Sequence, residues 1–212
     1  IGAINTLFMY GQFLGDTFYG LVGFILSAAN IMMPLMAFGV HNTLVKFYNE
    51  YETEEKKSQF LTFVLVLPLL IILPVSLIGY FGYHQIAELL SQKNPIVYDY
   101  VWQIPVIGLC MGYFEIFYAW VKVHLQSVYG SFVKEVLLRI LISIFLFAVY
   151  FDVISPQQFV FALMGIYFLS LFAMLLYAMK VKTPHFNLIF PDNAKAILTY
   201  CLFIILSGSV AN

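Results

Sequence analysis

The stretch of sequence that decides the fold lies at residues 14–51 and reads LGDTFYGLVGFILSAANIMMPLMAFGVHNTLVKFYNEY. Residues 21–40 within it form a long apolar run, and a helix needs roughly 20 such residues to cross the hydrocarbon core of a bilayer. The run leads into the basic and aromatic triplet KFY at 46–48, which is typical of a membrane interface. The stretch therefore predicts one helix that crosses a membrane over residues 21–47.

The composition of the whole chain agrees with a membrane-embedded protein. Hydrophobic residues make up 62% of the 212 residues and charged residues 10%, whereas a soluble domain carries about 25% charged residues. The net charge is −1, so the chain lacks the basic surface by which proteins bind nucleic acid. Both cysteines lie in apolar runs, which indicates small core residues rather than a disulfide or a metal site.

The apolar runs predict an all-α, polytopic helical bundle of about seven transmembrane helices. Thr53, followed by Glu54 and Glu55, predicts a helix start, because a threonine caps the first turn and acidic residues favour its positive end. Residues 122–135 are predicted to be a polar link. The predicted crossings are 1–14, 21–47, 60–80, 101–121, 136–151, 159–179 and 194–212. The first and last of these look incomplete, and we expect the sequence to be part of a longer protein.

The basic residues predict the orientation of these crossings. If the loop at 48–58 lies in the cytoplasm, nine of the ten lysines and arginines fall at cytoplasmic ends and only Lys93 falls outside. This asymmetry follows the positive-inside rule. We therefore predict cytoplasmic loops at 48–58, 122–135 and 180–193 in a multi-pass membrane protein.

Several small or polar residues of the second crossing share one helical face. Gly23, Ser27, Asn30 and Pro34 follow steps of four, three and four residues, which bring side chains to the same side of a helix. Polar groups are costly against hydrocarbon, so this face should look into the interior of the bundle. We expect three apolar residues to lie away from that interior: Leu21, Ile25 and Leu35.

Glu115 is an acidic residue well inside a predicted crossing. Intramembrane acids usually face the bundle interior, so Glu115 could couple transport to a cation or face a hydrated cavity. It could equally be a carboxyl that bonds to a neighbouring helix. The candidate cavity residues are Asn5, Gln12, Ser27, Asn30, Glu115 and Tyr118. Three basic residues could contact a phosphate at the cytoplasmic mouth, although orientation by positive charge already explains them: Lys46, Lys122 and Arg139.

Two short motifs carry a family resemblance. Residues 14–20, LGDTFYG, fit the pattern LG-x-x-x-(F/Y)-G, and residues 39–48, GVHNTLVKFY, fit G-x-x-x-x-L-x-(K/R)-F-Y. In both spacing and order they resemble the polysaccharide biosynthesis proteins, which are lipid-linked oligosaccharide flippases of the multidrug/oligosaccharidyl-lipid/polysaccharide exporter superfamily. Weaker similarity extends over residues 60–80 and 127–139.

The resemblance implies an architecture of twelve to fourteen helices in two bundles of six around a central cavity. Residues 1–179 would form the first bundle, 180–193 the linker between the bundles, and 194–212 the first helix of the second bundle. The protein would lie in the cytoplasmic (inner) membrane of a bacterium.

The resemblance also implies a function. Members move an undecaprenyl-pyrophosphate-linked oligosaccharide across the membrane by alternating access, for the assembly of surface polysaccharide such as lipopolysaccharide. The implied partners are the lipid-linked oligosaccharide, membrane lipids and polysaccharide-assembly proteins, with no nucleic acid. No cofactor is expected, although a proton or sodium gradient could drive transport. Many members line the cavity with arginine or lysine, whereas no predicted crossing of this chain carries a basic residue near its middle.

Two other functions stay open at this point. A drug or cation antiporter of the same superfamily would use Glu115 as its coupling acid and would be favoured by further buried acids. An intramembrane enzyme of glycan assembly would need histidine, arginine or aspartate clustered at one membrane face. The motifs HExxH, GxSxG and CxxC are absent from the sequence, and we expect no catalytic activity.

Overall fold

The computed structural model describes residues 10–183, 187 and 189–210. Over these residues the chain is helical throughout, apart from turns and short connections, and holds no β-strand. Short 3₁₀ segments follow α2 and α5, and a π-helical turn at Val133–Leu137 joins α7 to α8. The helices are α1 (Tyr10–Met36), α2 (Val40–Phe47), α3 (Glu54–Val66), α4 (Leu69–Phe81), α5 (Tyr83–Ser91), α6 (Gln103–Val123), α7 (Ser127–Phe132), α8 (Leu138–Tyr150), α9 (Pro156–Val181) and α10 (Ala194–Val210).

Within the described residues, four helical segments are long and apolar enough to cross a membrane: Tyr10–Met36, Glu54–Phe81, Gln103–Val123 and Pro156–Val181. These segments fit a membrane protein and confirm the predicted all-α class. The count of seven crossings goes further than this and stays a prediction, as does the division into two bundles and a linker.

Helix α6 lies at the centre of the bundle and packs against α1, α2 and α9. Twelve of its 21 residues are buried. Two of its glycines let the α1–α2 segment approach closely. A Cβ atom at Gly108 would lie 3.3 Å from the carbonyl oxygen of Ala29, and one at Gly112 would lie 3.1 Å from the backbone nitrogen of Ala37. Such small residues are how helices pack tightly inside membranes.

The first boundary predicted from sequence falls at a sharp bend within α1. Gly15 has φ 70° and ψ 163°, a backbone conformation that is essentially restricted to glycine. The bend separates the residues before Leu14 from the long segment 16–36. Only part of the predicted crossing at 1–14 lies within the described residues.

The predicted single crossing at 21–47 is interrupted. Helix α1 ends at Met36, a turn occupies residues 37–39, and α2 begins at Val40. Pro34 lacks the N–H that would continue the helical ladder, and Gly39 adopts a left-handed φ of 65°. Pro68 likewise lacks a backbone N–H. It marks the boundary between α3 and α4 within the predicted crossing at 60–80.

The predicted polar link at 122–135 is wrong. Only residues 124–126 form the connection, and the helical segment from Ser127 to Tyr150 runs through α7, the π turn and α8 without a break. The helical segment that contains the predicted fifth crossing at 136–151 therefore begins earlier, at Ser127, and its status as a crossing stays a prediction. The charged side chains in this region indicated a loop, but in the structure ion pairs accommodate them within a helix.

The helices bring most of the basic residues to one end of the bundle, which we call the basic end. Lys182 pairs with Glu54, and Lys56 with Asp192, so the starts of α3 and α10 and the end of α9 meet there. At the opposite end, the side-chain amide of Asn94 donates to the carbonyl of Thr17, and the neighbouring Lys93 lies near this contact. The basic end carries Lys46, Lys56, Lys57, Lys122, Lys180, Lys182 and Lys195.

Candidate functional site: a charged cleft beside the central helix

A cleft of about 330 Å³ is lined by residues of α1, α6, α8 and α9 and of the π turn that precedes α8. It reaches Cys110 near the middle of α6 and Tyr167 near the middle of α9. The cleft therefore lies beside the middle of two membrane-length helices. Its lining residues are Asn30, Met33, Cys110, Met111, Phe114, Glu115, Lys134, Glu135, Leu138, Arg139, Tyr167 and Ser170.

Glu115 and Lys134 form an ion pair on one wall of the cleft. The Nζ atom of Lys134 lies 2.5 Å from Oε1 of Glu115, and the two side chains are 49% and 14% exposed. A carboxylate this enclosed needs a counter-ion, because desolvation of an unpaired charge is costly. Glu115 thus combines features of the two roles considered for it. It lines a polar cleft, and it bonds to a residue of a neighbouring helical segment.

Glu135 and Arg139 form a second ion pair along the same helical segment. Nη2 of Arg139 lies 2.6 Å from Oε2 of Glu135, at the (i, i+4) spacing. Because the segment begins at Ser127, Arg139 lies about 18 Å along it at 1.5 Å per residue. Arg139 thus lies near the middle of the helical segment 127–150. That no crossing carries a basic residue near its middle stays a prediction, because this segment is not among the four membrane-length segments.

The π turn at Val133–Leu137 carries both Lys134 and Glu135. A π turn inserts one extra residue into a helix and often marks a functional site. Nothing in the local sequence predicts it, since the segment has neither proline nor glycine between 131 and 137. The turn presents Lys134 to α6 and leaves Glu135 facing the cleft next to Arg139.

The structure brings together only some of the predicted cavity residues. Asn30 lines the cleft with Glu115, as expected. Ser27 and Gln12 are exposed and lie outside the cleft lining, and Asn5 lies outside the described residues.

The predicted inward and outward faces of α1 differ from the structure at most positions, although Pro34 is buried as expected and Leu35 is half-buried. Leu21 and Ile25 are 0% exposed, whereas Gly23, Ser27 and Asn30 are exposed. The apolar face packs within the bundle because close packing needs interdigitating side chains. The polar face is left on the outside of this bundle, beside the cleft.

Tyr118 is a packing residue rather than a cavity residue. It is 7% exposed, and its hydroxyl shares a hydrogen bond of 2.6 Å with the hydroxyl of Ser131. Its ring fills the space that the missing side chain of Gly130 leaves. These contacts hold α6 against the start of α7.

The three predicted phosphate contacts lie in three different places. Arg139 lines the cleft. Nζ of Lys122 lies 3.8 Å from the ring centroid of Tyr118, and Nζ of Lys46 lies 3.9 Å from that of Tyr200 on α10. They do not form one shared site.

Sequence reasoning missed four polar residues of the cleft: Lys134, Glu135, Tyr167 and Ser170. The spacing of Glu135 and Arg139 by one helical turn was a usable signal, because oppositely charged residues at that spacing support a helix. Tyr167 and Ser170 lie in an apolar run and carried no comparable signal.

Comparisons of the chain with protein-family models, with curated proteins and with solved structures found no match. Across the described residues, no group of three or more histidine, cysteine or acidic side chains could hold a metal ion. The cleft combines two cations, two carboxylates, an amide and two hydroxyls. Such a set can bind a charged and hydrogen-bonding group.

Proposed function

We propose that the chain is part of a transporter that carries the polar head group of a lipid-linked oligosaccharide across the cytoplasmic membrane of a bacterium. The head group would contain phosphate or pyrophosphate, and transport would occur by alternating access. The observation that carries the proposal is Arg139, which lines the charged cleft near the middle of the helical segment 127–150.

The cleft offers an exchange of partners for an anionic head group. A guanidinium binds phosphate oxygens with two parallel hydrogen bonds, which are stronger than bonds between neutral groups. Without substrate, Arg139 pairs with Glu135, and Lys134 pairs with Glu115. A phosphate that enters would take over these cations, and the carboxylates would recover them when it leaves. In the empty cleft, the two ion pairs therefore leave none of these four charged side chains without a counter-ion.

The shape of the cleft supports a substrate that is part sugar and part lipid. Asn30 and Tyr167 offer an amide and a hydroxyl for sugar hydroxyl groups, while Met33 and Phe114 provide apolar walls. A lipid tail would stay in the bilayer while the head group occupies the cleft.

Glu115 fits this role better than that of the coupling acid of a cation antiporter. A coupling carboxylate must release and rebind a proton or metal ion during each cycle. Here the ammonium of Lys134 already occupies Glu115 at 2.5 Å. An antiporter would first have to remove this lysine, whereas phosphate binding uses it directly.

The test is translocation by the full-length protein in liposomes that contain a fluorescent undecaprenyl-pyrophosphate-linked oligosaccharide. Arg139→Gln should slow translocation at least tenfold, because hydrogen bonds to charged groups contribute about 1.5–3 kcal/mol. Glu135→Gln should not slow substrate binding, since it removes the carboxylate that competes with the phosphate for Arg139. Lys93→Gln, at the opposite end, is the control and should transport at the wild-type rate.

Two results would contradict the proposal. One is wild-type translocation by Arg139→Gln when its folding is normal. The other is a cation flux in the same liposomes without any movement of the glycolipid, which would favour the antiporter.

A further inference from the structure

A second, separate groove lies at the basic end between α2 and α10. Lys46 projects into it from α2, and Lys195 and Tyr200 line it from α10. None of its lining residues belongs to the charged cleft, so the two sites are distinct.

The groove has a positive balance of charge. The ion pairs within the described part of the chain involve Lys56, Lys57, Lys134, Arg139 and Lys182, but neither Lys46 nor Lys195. Nζ of Lys46 lies 3.9 Å from the ring centroid of Tyr200, an arrangement that holds the ammonium at the groove. Glu50 supplies one carboxylate in the same lining, so two cations face one anion.

The groove changes from charged to apolar along α10. Phe203 follows Lys195 by eight residues, which is about 12 Å along a helix. Phe203 lies in the groove lining and is 63% exposed. Leu202 beside it and Leu206 further along the helix are also exposed and apolar. A charged start at the membrane surface and an apolar continuation toward the hydrocarbon match the two parts of a phospholipid.

We propose that this groove binds an anionic phospholipid from the leaflet at the basic end. Lys46 and Lys195 would hold the phosphate. The upper part of an acyl chain would lie along Tyr200 and Phe203. Basic pockets between helices at a membrane surface are typical sites for acidic lipid head groups. The lipid is a resident ligand that bridges α2 and α10 rather than a transported substrate, and the site does not depend on the proposed function.

The experiment is native mass spectrometry of the full chain in detergent, titrated with phosphatidylglycerol and, in parallel, with phosphatidylcholine. The wild-type protein should retain one phosphatidylglycerol more tightly than phosphatidylcholine. Each lysine removed should weaken phosphatidylglycerol binding about fivefold, the value expected for one basic residue near an acidic lipid. Lys195→Gln is the first variant, and Lys46→Gln/Lys195→Gln the second.

The matched control is Lys93→Gln/Lys180→Gln, which removes the same charge outside the groove and should leave lipid binding unchanged. Phe203→Asn should weaken the lipid but not a soluble anion such as glycerol phosphate. The proposal is overturned if the control double variant loses as much lipid as the groove variant, or if phosphatidylcholine binds equally well. It is also overturned if glycerol phosphate competes with the lipid at similar concentration, since the ligand would then be a soluble phosphate.

Discussion

Helices α6 and α4 both belong to apolar, membrane-length segments, but one is largely buried and the other is exposed. The segment that contains α4 has a mean hydropathy of 2.8 in its most apolar stretch, of which 28% is buried. The corresponding stretch of α6 has a mean hydropathy of only 1.6, yet 61% of it is buried. None of the residues of α4 is buried. Burial in this chain therefore does not follow mean hydropathy, since the most apolar stretch of α1 matches that of α6 at 1.6 but is only 28% buried.

The physical reason lies in what each helix can pack against. Lipid tails are as apolar as leucine, so the hydrophobic effect does not drive helices together inside a membrane. Close packing and paired polar groups do so instead. Helix α6 supplies both through Gly108, Gly112 and Glu115. Helix α4 supplies branched apolar side chains around Pro74 and is left at the edge.

The largest test of this contrast replaces one apolar residue in each helix by alanine. Ile116 of α6 is 0% exposed, and Leu73 of α4 is 65% exposed. Ile116→Ala should lower the free energy of unfolding by about 3 kcal/mol, because it leaves a cavity in the core. Leu73→Ala should change it by less than about 0.5 kcal/mol, as is usual for a surface site. Denaturant unfolding of the purified protein in mixed micelles measures both. Equal losses of unfolding free energy in the two variants would contradict the contrast between α6 and α4.

The next test adds volume instead of removing it. Gly112→Leu in α6 should cost about 2 kcal/mol or more, since its first added atom would already lie 3.1 Å from the backbone of Ala37 and overpacking forces neighbours apart. Gly79 of α4 has open space around it, and Gly79→Leu should be neutral. Thermal unfolding in detergent compares the two variants. A stable Gly112→Leu protein would mean that α1 and α6 separate without cost.

A smaller effect is expected from the charge that α6 carries. Glu115→Gln removes the carboxylate opposite Lys134 and should cost about 1 kcal/mol, because Lys134 is half exposed and water can partly replace its partner. The double variant Glu115→Gln/Lys134→Gln should recover part of this loss. A double-mutant cycle on unfolding free energies gives the interaction energy of the pair directly. A cycle that sums to zero would show that the two residues do not stabilise each other.

The smallest effect concerns pH at the end of α6. Burial, followed by the nearby charge of Lys182, lowers the pKa of His124 below its usual range. His124 therefore binds a proton less readily in the folded protein than in the unfolded chain. Stability should be constant above the ordinary histidine pKa of about 6.5 and should fall slightly as the pH drops below it. His124→Asn should flatten that part of the profile. An unchanged slope in this variant would assign the dependence to other groups.

Much of the helical layout can be predicted from particular residues in the sequence. Thr53 caps α3 through a hydrogen bond from the backbone of Lys56, as predicted. Ser155 and Pro156 begin α9 with a capping box, although the predicted start was three residues later. These capping signals are local, so the few residues around each one are enough to predict where the helix starts.

The cleft is harder to predict because its residues depend on partners far along the chain. Charges at Lys134 and Glu135 indicated solvent when considered alone, whereas pairing with Glu115 and Arg139 keeps them in a helix. The inward face of α1 was assigned on the rule that polar groups face the interior. That rule fails where a polar face borders an open cleft instead of the packed core.

The short connection between α6 and α7 has a consequence for how the chain enters the membrane during synthesis. A charged side chain on an isolated helix costs about 2.5–3.5 kcal/mol to insert at the bilayer centre. Glu115 leaves the ribosome before Lys134, which follows it by 19 residues. Because only residues 124–126 separate the two helical segments, acid and base can enter together as a hairpin. The newly made chain then presents the insertion machinery with a neutral pair, and the weakly hydrophobic α6 need not cross the bilayer alone.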